Sequence, residues 1–176
     1  GPVIYSGTFI WQKSDGTFVS PEEFIPLFES SGFITRFDMY IWKSVCKTLA
    51  AWQDKGCKLV PISINVSMID ITNIDVPQYL SMLTEQYHIS PEYLPVEITE
   101  SVFAESNTIV KNTITRFHKK GFYVLMDDFG SGYSSLNVLK DANVDYLKLD
   151  MKFMQIDAKN KGKGIPPQER VRNAVR

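Results

Sequence analysis

The chain is poor in cysteine and histidine and nearly free of net charge. Its two cysteines, Cys46 and Cys57, lack any metal-type spacing. Cys46 falls on the apolar face of a predicted helix, and Cys57 follows a helix-ending glycine. Both read as reduced, structural thiols. The formal net charge of −1 gives no basic field for a long nucleic-acid partner. No apolar run is long enough to span a bilayer. No signal peptide is visible, so a cytoplasmic domain is expected, which leaves room for a membrane-anchored parent. What is there suits a folded soluble domain: 176 residues, 44% hydrophobic and 22% charged.

Both ends read as cut. Gly1-Pro2 resembles a pair left after tag removal and is set aside. Residues 158–167 form a polar loop, and residues 168–176 begin a helical pattern that stops. One domain spanning 1–176, as a fragment, is the expectation.

Between these ends the pattern alternates. Ser20-Pro21-Glu22-Glu23 combines a cap, a proline at the first helical position and a capping-box glutamate. That helix ends at Gly32. A second helix is predicted over 35–55, with Phe37, Ile41, Trp42, Val45, Cys46, Leu49 and Trp52 on one apolar face. Strands are predicted at 59–66, 95–99, 122–126 and 145–149. Helices are predicted at 76–87, from 106 or 107 to 120, and at 134–140. Successive strand–helix units imply parallel strands with helices outside, an α/β fold.

Each predicted strand carries polar chemistry at or just past its exit. The first offers Asn65, and the second Glu97 with Glu100 beyond. The third offers Asp127 and Asp128 before the permissive turn Phe129-Gly130-Ser131-Gly132-Tyr133. The fourth offers Lys148, then Asp150. On neighbouring parallel strands these groups converge on one rim, where active sites of parallel barrels are built. Asn, Glu and Asp supply only oxygen donors, which favours magnesium, manganese or calcium over zinc or copper. Two adjacent aspartates could serve two metals in an in-line phosphoryl displacement. Lys148 could orient a water or neutralise developing charge. Each residue also has a structural reading: Asn65 capping or turning a loop, Asp128 capping a helix, Glu97 as surface charge or a buried ion-pair member, and Lys148 as half of a structural salt bridge. His88 and His118 read as surface or capping residues. The triplet Asp128-Phe129-Gly130 also occurs in protein kinases, but no glycine-rich phosphate loop or His-Arg-Asp segment accompanies it here.

The segments Ser20 to Leu27, Ser63-Ile64-Asn65-Val66-Ser67, Glu97-Ile98-Thr99-Glu100-Ser101, Asp127 to Leu136 and Leu147-Lys148-Leu149-Asp150 occur in this order. In them the chain resembles the EAL family of bacterial phosphodiesterases, named for a Glu-Ala-Leu motif. The resemblance implies a modified TIM-type (β/α) barrel that cleaves cyclic di-GMP to the linear dinucleotide with Mg2+ or Mn2+. The family's metal ligands map onto Asn65, Glu97, Asp127 and Asp128, and its catalytic lysine onto Lys148. Asp128 is counted with Lys148 in the catalytic pair. Glu100 matches a glutamate that holds the loop after Asp128. The segment Phe129 to Tyr133, with Asp150, is expected on the substrate side. A homodimer, and sensory or diguanylate cyclase domains in a longer parent, are the implied partners.

Two departures stand out. Aligned back from Trp11, the Glu-Ala-Leu position falls on Ser6-Gly7-Thr8, so a hydroxyl stands where the family has a carboxylate ligand. Ile10 replaces an arginine, removing a phosphate contact. The family's first strand is expected to be missing upstream, and its last strands downstream, which leaves the barrel incomplete. Two functions of different class follow: a phosphodiesterase with impaired turnover, or a silent cyclic di-GMP receptor or protein-interaction module.

Overall fold

The computed structural model describes residues 5–6, 11–104, 108–130 and 143–149. Five strands, β1 (Tyr5–Ser6), β4 (Ile62–Asn65), β5 (Val96–Thr99), β6 (Val124–Phe129) and β7 (Tyr146–Leu149), form one sheet in that spatial order. Every pairing in it is parallel. Consecutive strands lie side by side, as in a barrel wall, and among the described residues the sheet stays open. This is the α/β architecture expected, with an incomplete barrel. A separate antiparallel hairpin, β2 (Trp11–Gln12) and β3 (Phe18–Val19), precedes the first helix.

One strand has no counterpart among the predicted ones: Tyr5–Ser6, at the position aligned with the Glu-Ala-Leu motif, pairs with Ile62–Ser63. A two-residue strand carries too little periodicity to be read, and its pairing is supplied by β4.

Helices α1 (Pro21–Ser30) and α2 (Ile34–Asp54) lead into β4. The Ser20 amide donates to Glu23 Oε1 at 3.4 Å, as the capping-box pattern requires. Gly32 and Gly56 take the left-handed backbone (φ 70° and 68°) that ends α1 and α2. Trp42, Cys46 and Leu49 on α2 are fully buried. Burial pushes the Cys46 thiol up to about 12, so it is an inert core group. Helices α3 (Met68–Asn73) and α4 (Val76–Gln86) connect β4 to β5, and α5 (Glu100–Ala104) and α6 (Thr108–Lys119) connect β5 to β6. Val76, Leu80, Val96, Ile98, Phe117 and Val124 join α2 in one core between helices and sheet. Each such side chain contributes about 1.5–3 kcal/mol by leaving water.

Candidate functional site

Strand alternation decides which side chains meet. In β5, Val96 and Ile98 are fully buried towards the helices, so Glu97 and Thr99 face the other side of the sheet. Register carries that side to the neighbours. Asn65 pairs with Glu97, and Asp127 pairs with Thr99. Residues paired in a parallel sheet share a face. β7 joins with an irregularity between Met126 and Phe129, and Lys148 reaches across it.

The result is a three-residue charge cluster. Lys148 Nζ donates to Glu97 Oε2 at 2.9 Å and to Asp127 Oδ2 at 2.8 Å. Glu97 is 3% exposed, whereas the Lys148 side chain is 38% exposed. A buried carboxylate is costly without a paired charge, and Lys148 provides it. Burial works against the charged form of Asp127. The Lys148 hydrogen bond and the Asp128 amide override it and hold the carboxyl below the usual carboxylate range. Burial likewise works against the Lys148 ammonium, and the hydrogen bonds to Asp127 and Glu97 leave it above its ordinary value.

The turn after β6 is set by two further contacts. Asp128 adopts φ 57°, a left-handed conformation uncommon outside glycine. Its N–H donates to Asp127 Oδ1 at 2.8 Å. Gly130 follows with φ 92°, and its N–H donates to Glu100 Oε2 at 2.9 Å. Glu100, buried at the start of α5, therefore ties the turn to the exit of β5.

The sheet thus brings together Glu97, Asp127 and Lys148, with Asn65 one strand over and Asp128 exposed beside them. Asn65 also fixes α2, since its carbonyl accepts from Trp42 Nε1 at 3.0 Å. Phe129 turns into the core rather than outward. Ser131, Gly132, Tyr133 and Asp150 lie outside the described residues. Among the described residues, no three His, Cys, Asp or Glu side chains stand close enough to hold an ion as a ready-made cage. In the present arrangement the Lys148 ammonium is the cation between Glu97 and Asp127.

His118 was read as a surface or capping residue; it is partly exposed in the last turn of α6, and its Nε2 meets Asp145 Oδ2 at 3.0 Å, at the opposite end of the strands. The sequence held one signal for this: an aspartate opening the last strand run.

Comparison with known proteins gives a consistent picture. A family model described as EAL domain matches residues 5–166. Over 144 residues the chain is 35% identical to the probable cyclic di-GMP phosphodiesterase PdeB of Escherichia coli K12, covering 82% of this chain and 28% of that protein. It is 32% identical over 147 residues to the cyclic di-GMP phosphodiesterase PdeR of the same organism, covering 82% and 22%. The chain therefore spans less than a third of these curated relatives. Among solved structures, the PaMucR phosphodiesterase in complex with c-di-GMP superposes with a TM-score of 0.80 at 26% identity, covering 90% of this chain and 64% of that one. With the family model matched along most of its length, this chain belongs to the EAL family.

Proposed function

We propose that this rim is the metal-dependent phosphodiester site of a cyclic di-GMP phosphodiesterase domain, with hydrolysis weakened in this chain by Ser6. The observation that carries the reading is the Glu97–Lys148–Asp127 cluster at the strand exits. Nothing in the fold of a sheet requires a glutamate at 3% exposure, and a functional rim does. The relatives' names and the PaMucR complex supply the substrate class.

The donor set fits a hard divalent cation. Asn65, Glu97, Asp127 and Asp128 offer only oxygens, and Glu97 and Asp127 already share one cation, the Lys148 ammonium. These four residues would hold Mg2+ or Mn2+. Bound there, the metal would supply Lewis acidity and an activated water at phosphorus. The chain's own residues do the rest. Asp127 positions Lys148 Nζ, which can donate to a phosphodiester oxygen or orient the attacking water. Glu100 fixes the Gly130 amide, and with it the direction in which the turn leaves the rim. Cyclic di-GMP, a second copy of the domain, and sensory or diguanylate cyclase domains in a longer parent are the partners we propose. The proposed setting is cytoplasmic, and no described helix is long and apolar enough to cross a membrane.

A second reading, a receptor that binds without turnover, is favoured by Ser6. Its backbone pairs with Ser63 on β4, so position 6 ends β1 on the strand next to Asn65. A serine there offers a neutral hydroxyl in place of a carboxylate. Chromatography of cyclic di-GMP after incubation with the protein and manganese, with a chelator control, separates the readings. Slow, metal-dependent appearance of the linear dinucleotide is expected. Rapid turnover would contradict the impairment, and intact substrate with bound nucleotide would favour the receptor.

A further inference from the structure

One face of α2 reaches the β4–α3 connection at successive levels. Near the start of α2, Thr35 Oγ1 accepts from Asn73 Nδ2 at 3.3 Å, at the end of α3. Two turns later, Trp42 Nε1 donates to the carbonyl of Asn65, the last residue of β4, at 3.0 Å. Asp38 lies between Thr35 and Trp42 at helical spacing, on the same face, and it meets Asp70 of α3.

Asp70 is fully buried, at 0% exposure. Its Oδ2 accepts from the Ser67 amide at 2.9 Å and the Ser67 hydroxyl at 2.7 Å. This closes the N-terminal cap of α3. Among the described residues, its Oδ1 receives no hydrogen bond from any amide, amine or hydroxyl group. A buried acceptor in that state calls for an explanation. Two facing carboxylates, one fully buried and the other half-buried, resist ionising together, and one proton between them satisfies both.

We propose that Asp38 keeps its proton in the folded protein and donates it to Asp70 Oδ1, forming a carboxyl–carboxylate clasp between α2 and α3. The clasp fixes the β4–α3 connection, and through Trp42 the backbone of Asn65. Asp38 is thus a positioning residue for the rim. Only this last step rests on the proposed role of Asn65; the clasp itself does not.

The surroundings agree. Burial, then the charge of Asp70 and its hydrogen bond, then Glu29 of α1, raise the Asp38 carboxyl to about 8. Strand β4 contributes no titratable side chain here. On α4, Tyr79 packs against Trp42 with ring centroids 6.0 Å apart. The nearby cation on α2, Arg36, lies over the Phe33 ring at 5.7 Å.

The sign of the pH effect follows. In the unfolded chain Asp38 ionises near 3.8, and in the folded chain near 8. Between these values the native state holds a proton that the unfolded state lacks. Stability therefore falls as pH rises through this window and levels off above it.

Thermal unfolding from about pH 5 to about pH 9 tests this, on wild type and Asp38→Asn. The asparagine keeps an N–H donor for Oδ1 and carries no titratable group. The wild-type Tm is expected to fall across the window. The variant should lose that slope and unfold at higher temperature above neutral pH. The indole N–H resonance of Trp42, identified among the three tryptophans by Trp42→Phe, should titrate with a midpoint of about 8 in wild type and not in Asp38→Asn. Asp70→Asn keeps an acceptor for Ser67 but removes the facing charge, so it should bring the midpoint down by about one unit or more. An unchanged slope in Asp38→Asn, a pH-independent Trp42 signal, or an unshifted midpoint in Asp70→Asn would each overturn the clasp. None of these readouts involves metal or cyclic dinucleotide, so they stand or fall apart from the proposed function.

Discussion

The two ends of the parallel strands each carry a carboxylate and a basic side chain, and they use them differently. At the entry end, Asp145 accepts from the Val124 amide at 2.7 Å and meets His118. Its own amide donates to the Val124 carbonyl at 2.8 Å. The side chain serves the backbone and pins β7 to β6. At the exit end, Glu97 and Lys148 are joined chiefly to other charged side chains, and Glu97 is buried where a sheet needs no charge. The entry cluster completes the fold. The exit cluster is held together by one ammonium that another cation could replace. In parallel barrels the same asymmetry separates the stability face from the catalytic face.

The comparison can be broken most forcefully at the entry end. Asp145→Ala leaves the Val124 amide without its acceptor and should cost about 1–3 kcal/mol in urea unfolding. Cyclic di-GMP affinity should be unchanged. A matching loss of affinity would show that the two ends are not separate in function.

Lys148→Ala should cost a similar amount, about 1–3 kcal/mol, because buried Glu97 loses its paired charge while solvent screens the half-exposed ammonium. Here the distinguishing result is rescue. With the ammonium gone, Glu97 and Asp127 need a cation, so manganese should raise the Tm of the variant more than that of wild type. Equal shifts would mean that these carboxylates do not take the metal.

Glu100→Gln should cost about 1 kcal/mol or less, since a neutral acceptor replaces a charged one. Amide exchange at Gly130 should quicken, with β6 unaffected. His118→Ala is expected to have the smallest effect, about 0.5 kcal/mol, as befits a partly exposed pair. A larger loss would raise the weight of the entry end as a whole.

Much of this was legible because the signals are local. Four short apolar runs alternate with longer amphipathic ones, so the strands at Ile62–Asn65, Val96–Thr99, Val124–Phe129 and Tyr146–Leu149 were all placed. The residues at their exits were placed with them. Boundaries moved where tertiary pairing overrode pattern. β6 runs on through both aspartates because β5 and β7 continue to pair with it, whereas the sequence stops the strand at Met126. Pro61 lacks an amide, and β4 begins only after it. Helix α3 was missed although Ser67 and Asp70 spell a capping box, because its run is only six residues. The hairpin around Asp15-Gly16 was missed because each strand is two residues long. What no local signal could give is partnership across the sheet. That Lys148 serves both Glu97 and Asp127, and that Asp38 meets Asp70, depend on register and helix packing between residues distant in sequence.

The most direct test of the central claim is a calorimetric titration of cyclic di-GMP in the presence of magnesium, on wild type and on Glu97→Gln. Metal-dependent binding to wild type, weakened at least about tenfold in the variant, is the predicted result. Equal binding by the two proteins, or binding indifferent to a chelator, would place the nucleotide elsewhere and contradict the assignment of the exit rim as its site.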